Sequence, residues 1–168
     1  MKAESKALDE EAIRSIVERH YEDVLAYCRR HAPASSAEDL TQEVFLRFVR
    51  RANAYDERGK PLALLLTIAR NACIDATRSV GRAPCFVELD EGCEPYQNDS
   101  YDVEMESALA ALPPNEREVL ELRFDQGLGV AEAACVMGLS RFAMNRLLKR
   151  ALAHARSVLA SESKGRSK

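Results

Sequence analysis

The sequence contains no tryptophan, and aromatic residues make up only 6% of it. Ala, Leu, Arg and Glu recur instead, which favours helix. It also lacks any stretch of 18 uncharged apolar residues. The best apolar run, Pro61 to Ala69, is too short to span a bilayer. The first residues, Met1 to Glu11, are charged and lack the apolar core of a signal peptide. A cytoplasmic protein without stable membrane insertion is expected.

Cysteine is present but unpaired by pattern. There are five, Cys28, Cys73, Cys85, Cys93 and Cys135, with no CxxC. An odd count without a secretion signal argues against a disulfide framework. Cys28 and His31 have CxxH spacing, yet the chain has no four-ligand cluster of standard spacing, so no metal site is expected. Cys28, Cys73 and Cys135 fall on apolar helix faces and are expected as small core residues. Cys85 and Cys93 are the expected exposed thiols. A phosphate-cradling Gly-rich loop is missing too, and the three histidines, His20, His31 and His154, are scattered. These absences argue against an enzyme and against a bound cofactor. His154 is expected to face solvent or phosphate.

What is present is a globular composition, 30% charged and 46% hydrophobic. The net charge of −3 argues at first against a nucleic-acid partner. Its distribution reverses that view. Arg82 to Glu106 holds eight acids and one base, whereas Gly138 to Lys168 holds eight bases and one acid. A local basic face, not the average, is what meets phosphate.

Apolar spacing predicts a helix over Asp9 to Arg30, with Ile13, Val17, Tyr21, Val24 and Cys28 on one face. A second runs from about Ser36 to Asn53. Ser35 or Ser36 would cap it, acids fill its first turn, and Leu40, Val44, Phe45, Phe48 and Val49 line its apolar side. Pro61 suits the start of a third, with Leu62, Leu65, Leu66, Ala69, Cys73 and Ala76 as its stripe. Arg82 to Tyr101 has little periodicity and reads as a linker. Val103 to Leu112 then reads as a short helix stopped by Pro113-Pro114. Asn115 to Gln126 reads as another, with Val119, Leu120, Leu122 and Phe124 apolar and Gly127 closing it. Val130 to Met137, the turn Gly138-Leu139-Ser140, and a last helix to about Ala160 complete the chain. The fold class is therefore all-α. Two small helical domains, 9–80 and 103–160, are joined by a flexible acidic linker over 81–102.

The pair around Gly138 has the form of a helix-turn-helix. Ala133 and Ala134 let a second helix cross closely, Gly138 allows a positive φ, and Leu139 is placed to plug the angle. Met144, Leu147, Leu148, Ala151 and Ala155 form an inward stripe. Arg141, Phe142, Asn145, Arg146 and Lys149 fall mostly outside it. Arg pairs with guanine, Asn with adenine, and Lys or Arg with phosphate. An ordinary helical hairpin with a solvated basic face would share this pattern.

Two separated signatures add to this reading. The first is Ala37-Glu-Asp-Leu-Thr-Gln-Glu-Val-Phe-Leu-Arg-Phe-Val, followed by Leu65-Leu-Thr-Ile-Ala-Arg-Asn-Ala-Cys-Ile-Asp-Ala-Thr-Arg. The second is Leu109-Ala-Ala-Leu-Pro-Pro-Asn-Glu-Arg-Glu-Val-Leu-Glu-Leu-Arg-Phe, leading into the helix-turn-helix. Over roughly residues 12 to 160 the chain resembles a bacterial RNA polymerase sigma factor of the extracytoplasmic-function (ECF) class. The resemblance implies an N-terminal domain that binds the clamp helices of the polymerase β′ subunit and opens the −10 promoter element. It implies a C-terminal domain that docks on the β flap and reads the −35 element. An anti-sigma factor is a further partner expected on the same ground.

By the same resemblance Asp39, Leu40, Gln42 and Glu43, with Glu38 beside them, serve the polymerase contact. Such acids beside Leu40 and Phe45 make a mixed face suited to a basic coiled coil. A helix N-terminus alone would account for Glu38 and Asp39 but has no need of Gln42. The −10 work falls on the loop Ala54 to Lys60, where Tyr55 offers a stacking face and Arg58 and Lys60 offer charge. Arg70, Asn71 and Arg78 come next, on the third helix. Tyr55 packed back on the core is an equal reading. The −35 set is Arg141, Phe142, Asn145, Arg146, Lys149 and Arg150. The acidic linker would thread the RNA exit path as a nucleic-acid mimic, or act as a solubilising tether.

The chain also departs from the family pattern. Leu64 stands where the family usually has Trp. The recognition helix reads Ser140-Arg-Phe-Ala-Met-Asn-Arg-Leu, so Phe142, Ala143 and Leu147 replace the usual Gly, Thr and Arg. An atypical −35 reading is expected. Two other functions stand beside the leading one: a stand-alone dimeric helix-turn-helix regulator, and a sigma-like adaptor or antagonist.

Overall fold

The computed structural model describes residues 9–52, 60–80 and 108–165, with side chains described for 9–52, 60–79 and 108–161. These residues are helical apart from short connecting turns, with no strand among them. The expected linker over 81–102, with Cys85 and Cys93, lies outside the described residues, as do Tyr55 and Arg58. The chain divides into two compact units, Met1–Cys93 and Glu94–Lys168.

The first unit contains helices α1 (Glu10–His31), α2 (Ala37–Arg51) and α3 (Pro61–Val80). Each packs on the other two. Asp9 caps α1, its Oδ1 accepting from the Ala12 amide at 2.8 Å. The expected serine cap of α2 is not formed. Ser36 makes no side-chain cap bond, and a 3₁₀ turn, Ala34–Ser36, feeds the helix directly. Pro61 opens α3 as expected.

The core of this unit joins Val24, Tyr27 and Cys28 of α1, Val44 and Phe48 of α2, and Leu65, Leu66, Ala69 and Cys73 of α3, all buried. It closes without large rings at its centre apart from Tyr27 and Phe48. Tyr21 stacks on Phe45 at 5.9 Å between centroids. Cys28 and Cys73 are buried core thiols, as expected. A hydrogen bond with the Cys73 side chain is the main cause that lowers the Cys28 pKa to about 7, against the upward push of burial. Val49, predicted on the apolar side of α2, is instead 44% exposed.

The second unit contains α4 (Pro114–Leu120), α5 (Val130–Met137) and α6 (Arg141–Gly165). Of the helix predicted over 103–112, the described part is helical at 108–110. Its end is held by Arg117, whose guanidinium donates to the carbonyls of Leu109, Ala110 and Leu112. The helix predicted over 115–126 is not one regular α-helix. After Leu120 it widens into a π turn, Glu121–Asp125, and the Gln126 amide bonds the Glu121 carbonyl at 2.9 Å. Val119, Leu120 and Leu122 are buried, but Phe124 is 62% exposed. Gly127 then reverses the chain at φ +64°. Leu128 inserts into the core, and the Arg123 guanidinium bonds its carbonyl.

Candidate nucleic-acid interface

The hinge of the reading motif is built by backbone chemistry. Gly138 adopts φ 65°, ψ 32°, the left-handed conformation that a Cβ disfavours. This lets the Leu139 amide reach back to the Ala134 carbonyl at 2.9 Å and the Gly138 amide to Cys135 at 3.2 Å. The last carbonyls of α5 are thereby satisfied. Two residues later Ser140 caps α6, its Oγ accepting from the Ala143 amide at 3.2 Å. At the other end of α5 the Glu132 carboxylate accepts from the Gly129 amide at 2.6 Å. Every bond here is local, so a short stretch of sequence sets the angle between α5 and α6.

Packing then fixes which face of α6 turns outward. Met144, Leu147 and Ala151 are buried against the unit, with Ala133 and Ala134 of α5 also buried. Arg141, Phe142, Asn145, Arg146 and Lys149 are exposed. Leu139, expected as a plug, is 37% exposed and does not fill the angle. Cys135, expected in the core, is exposed as well. It lies on the outer side of α5, between the inward Ala134 and Val136.

Arg150 is placed differently from the rest of its predicted set. Its Nε donates to Glu116 Oε1 at 2.6 Å, and His154 Nδ1 donates to Glu116 Oε2 at 2.7 Å. Glu116 lies on α4 and is only 2% exposed. Burial pushes its carboxyl upward, but the hydrogen bonds from His154 and Arg150 outweigh that and hold it below the ordinary carboxylate value. His154, expected to face solvent or phosphate, is thus half of this clamp. Both donor side chains stay more than half exposed. Sequence reading missed Glu116 because acids early in a helix are ordinary; only the distance of 34 and 38 residues to its partners reveals the role.

In the first unit α2 presents a mixed face. Glu38, Asp39 and Gln42 are exposed, while Leu40 and Glu43 are half-buried. Arg47 Nε donates to Glu43 Oε1 at 2.7 Å, and Arg29 lies 3.6 Å from Glu38. Phe45, expected as an apolar neighbour of these acids, is buried. Leu46 and Val49 take that place, 52% and 44% exposed. Asp39, Gln42, Leu46 and Val49 succeed one another at three- and four-residue steps, so they share one side of the helix. Helical spacing past Gln42 would have found the two apolar residues.

The residues predicted for single-strand contact are gathered in part. Lys60 is exposed just before α3, and Asn71 and Arg78 are exposed along it. Asn71 and Arg78 lie seven residues apart and share a face. Arg70 is half-buried and already has an interaction partner. Leu64, in place of the family's Trp, is half-buried.

Comparison with known proteins matches each unit separately. Residues 16–83 match sigma-70 region 2, and residues 102–154 match sigma-70 region 4. The chain is 33% identical over 167 residues to the ECF RNA polymerase sigma factor SigD of Mycobacterium tuberculosis, covering 88% of this chain and 79% of that one. It is 36% identical over 128 residues to the ECF RNA polymerase sigma factor BldN of Streptomyces coelicolor, covering 70% and 48%. Its fold is similar to that of the sigma factor RpoE of Bartonella quintana, solved with the anti-sigma factor NepR. That likeness has a TM-score of 0.73 at 22% identity, over 89% of this chain and 98% of the other.

Proposed function

Because the chain belongs to the sigma-70 family, in its ECF class, we infer that it is a promoter-specificity subunit that directs RNA polymerase to initiate transcription. The observation that carries this is the order of two different modules in one chain, region 2 at 16–83 and region 4 at 102–154. A stand-alone regulator needs only the second. An adaptor needs no reading face, whereas α6 keeps an exposed row of Asn145, Arg146 and Lys149.

The geometry supports a role for each set of residues. Residues 9–80 form the unit that docks on the clamp helices of β′ and handles the −10 element. Asp39, Gln42, Leu46 and Val49 are the centre of its docking face, with Glu38, Leu40 and Glu43 at the edges. Acidic and apolar groups together suit a partner that is basic and amphipathic. Lys60, Asn71 and Arg78, with Tyr55, Arg58 and Arg70, serve the melted strand, where stacking and charge replace duplex contacts.

Residues 103–160 form the −35 reader, which docks on the β flap, and 81–102 form the acidic connection. Arg141, Phe142, Asn145, Arg146 and Lys149 face the duplex. Arg150 is reassigned from base or phosphate contact to bracing α6 against α4. The protein acts in the cytoplasm as a non-enzymatic initiation factor, and among the described residues no helix is long and apolar enough to cross a membrane. The RpoE relative was solved with an anti-sigma factor, and an inhibitor of that kind is proposed for this chain.

The test is reconstitution. Core polymerase with and without the full chain is run on a genomic library, and start sites are mapped. New start sites that require the protein are the expected result. Failure to bind core polymerase would sink the reading. A homodimer that binds a palindrome on its own would favour the stand-alone regulator.

A further inference from the structure

We propose that Phe142 is a base-reading residue, its ring packing on the 5-methyl group of a thymine in the major groove of the −35 element. This rests on the proposed role of α6 as the recognition helix. Phe142 is 85% exposed, more than any other large apolar side chain among the described residues. A phenyl ring left in water forgoes burial that would otherwise stabilise the fold. None of the described residues covers it.

Its position supplies the occupant. Phe142 is the second residue of α6, and the N-terminal residues of a recognition helix are those that reach base edges. Buried Met144, Leu147 and Ala151 mark the inward side. At roughly 100° per residue, Phe142 points roughly 160° away from Met144. Lys149 and Arg146 flank it on the same outward side, and Asn145 lies at its edge. The ring therefore stands inside the polar, cationic row that meets DNA, not apart from it.

The chemistry narrows the ligand. A phenyl ring has no hydrogen bond to offer the N7, O6, N6 or N4 groups of the groove. The apolar group displayed there is the thymine methyl. Asn145 lies three residues on, a rise of roughly 4.5 Å along the helix, against a base step of about 3.4 Å. The thymine beneath Phe142 and an adenine held bidentately by Asn145 would then fall one or two base pairs apart. A small residue at the same point would leave the methyl unread.

The test removes the methyl alone. Holoenzyme made from the full chain and core polymerase first selects −35 sequences from a randomised library. Each selected thymine is then replaced by deoxyuridine, and open-complex formation is measured for wild type, Phe142→Ala and Phe142→Leu. At one thymine, wild type should lose about four-fold, the size of one buried methyl. Phe142→Ala should lose nothing on that replacement, and Phe142→Leu should keep part of the sensitivity. No thymine selected, or equal uridine effects in wild type and Phe142→Ala, overturns the proposal while specific transcription persists. Weakened core binding by Phe142→Ala with thymine discrimination intact would make the ring a protein contact, shared with exposed Leu139, and also overturns it. Absence of any specific transcription overturns the promoter-subunit reading itself and this proposal with it.

Discussion

Arg150, well along the recognition helix, donates from Nε to the buried carboxylate of Glu116 at 2.6 Å. The second oxygen of that carboxylate takes the Nδ1 proton of His154 at 2.7 Å. One acid thus holds two points on α6, one helical turn apart, against the start of α4. Phe142, Asn145 and Arg146 lie on the other side of the first inward residues. The brace acts on the orientation of the reading face without occupying it.

That brace makes the second unit sensitive to acid. The folded Glu116 carboxyl sits below its ordinary value, chiefly because the His154 and Arg150 hydrogen bonds overcome burial. Its contribution is fully present above the ordinary carboxylate range and is lost as pH falls through the lowered folded value. Glu116→Gln should therefore be less stable than wild type at pH 7, by about 1–3 kcal/mol for a buried group left imperfectly paired. The gap should begin to narrow as pH falls through the ordinary carboxylate range, where the unfolded chain takes up the proton first, and close below the lowered folded value. Thermal melts of the full chain at about pH 7 and about pH 3.5, on either side of the carboxylate range, measure it. A gap that does not change with pH contradicts the charge-based account.

Gly138 separates backbone strain from packing. Its φ is +65°, yet a Cβ there would meet no atom within 4 Å. Gly138→Ala should cost roughly 1–2 kcal/mol from the left-handed conformation alone, read as a lower unfolding temperature. Gly138→Asn should cost less, because Asn tolerates that region better. If Ala and Asn are equally harmful, contacts outside the turn are responsible.

How much of the fold and site is legible in the sequence depends on the range of each interaction. The turn at Gly138, the cap at Ser140, the start of α3 at Pro61 and the inward stripe of α6 are local, and periodicity with turn chemistry finds them. The brace is invisible, because Glu116 meets partners 34 and 38 residues away. Phe124 is misplaced because an apolar side chain is taken as inward by type, although at roughly 100° per residue it stands roughly 140° from Val119. Apolar character places Cys135 on the inner face, although the buried residues of the short α5 are Ala133, Ala134, Val136 and Met137. Leu139, placed as a plug by its position in the turn, lies beyond the helix and is exposed. On α2 the family motif draws attention to its acids and away from Leu46 and Val49 beyond them.

The docking face on α2 makes a graded prediction. Asp39→Ala with Gln42→Ala should weaken core polymerase binding by on the order of ten-fold, or about 1.4 kcal/mol. Leu46→Asp should weaken it further, because it puts an unpaired charge at the centre of a contact that must be desolvated. All three positions are exposed, so stabilities should stay within about 0.5 kcal/mol of wild type. Titration of core polymerase with labelled protein gives the affinities. Unchanged binding by Leu46→Asp places the polymerase contact on another face.

Arg146 and Lys149 distinguish reading from anchoring. Both are exposed on the outward side of α6. Arg146 is nearer the helix start, where side chains meet base edges, and its guanidinium suits guanine O6 and N7. Lys149 is one turn further on and suits phosphate. Arg146→Ala should relax preference at one −35 position, costing about 1–3 kcal/mol on the preferred base and little on others. Lys149→Ala should weaken all −35 sequences alike and reduce the salt dependence by about one counterion. Open-complex formation by holoenzyme, measured across −35 variants and salt concentrations, tests both. A uniform loss from Arg146→Ala, with base preference retained, would move Arg146 from reading to anchoring. The α2 docking face lies in the other unit, so its contact with core polymerase should be unaffected in either variant.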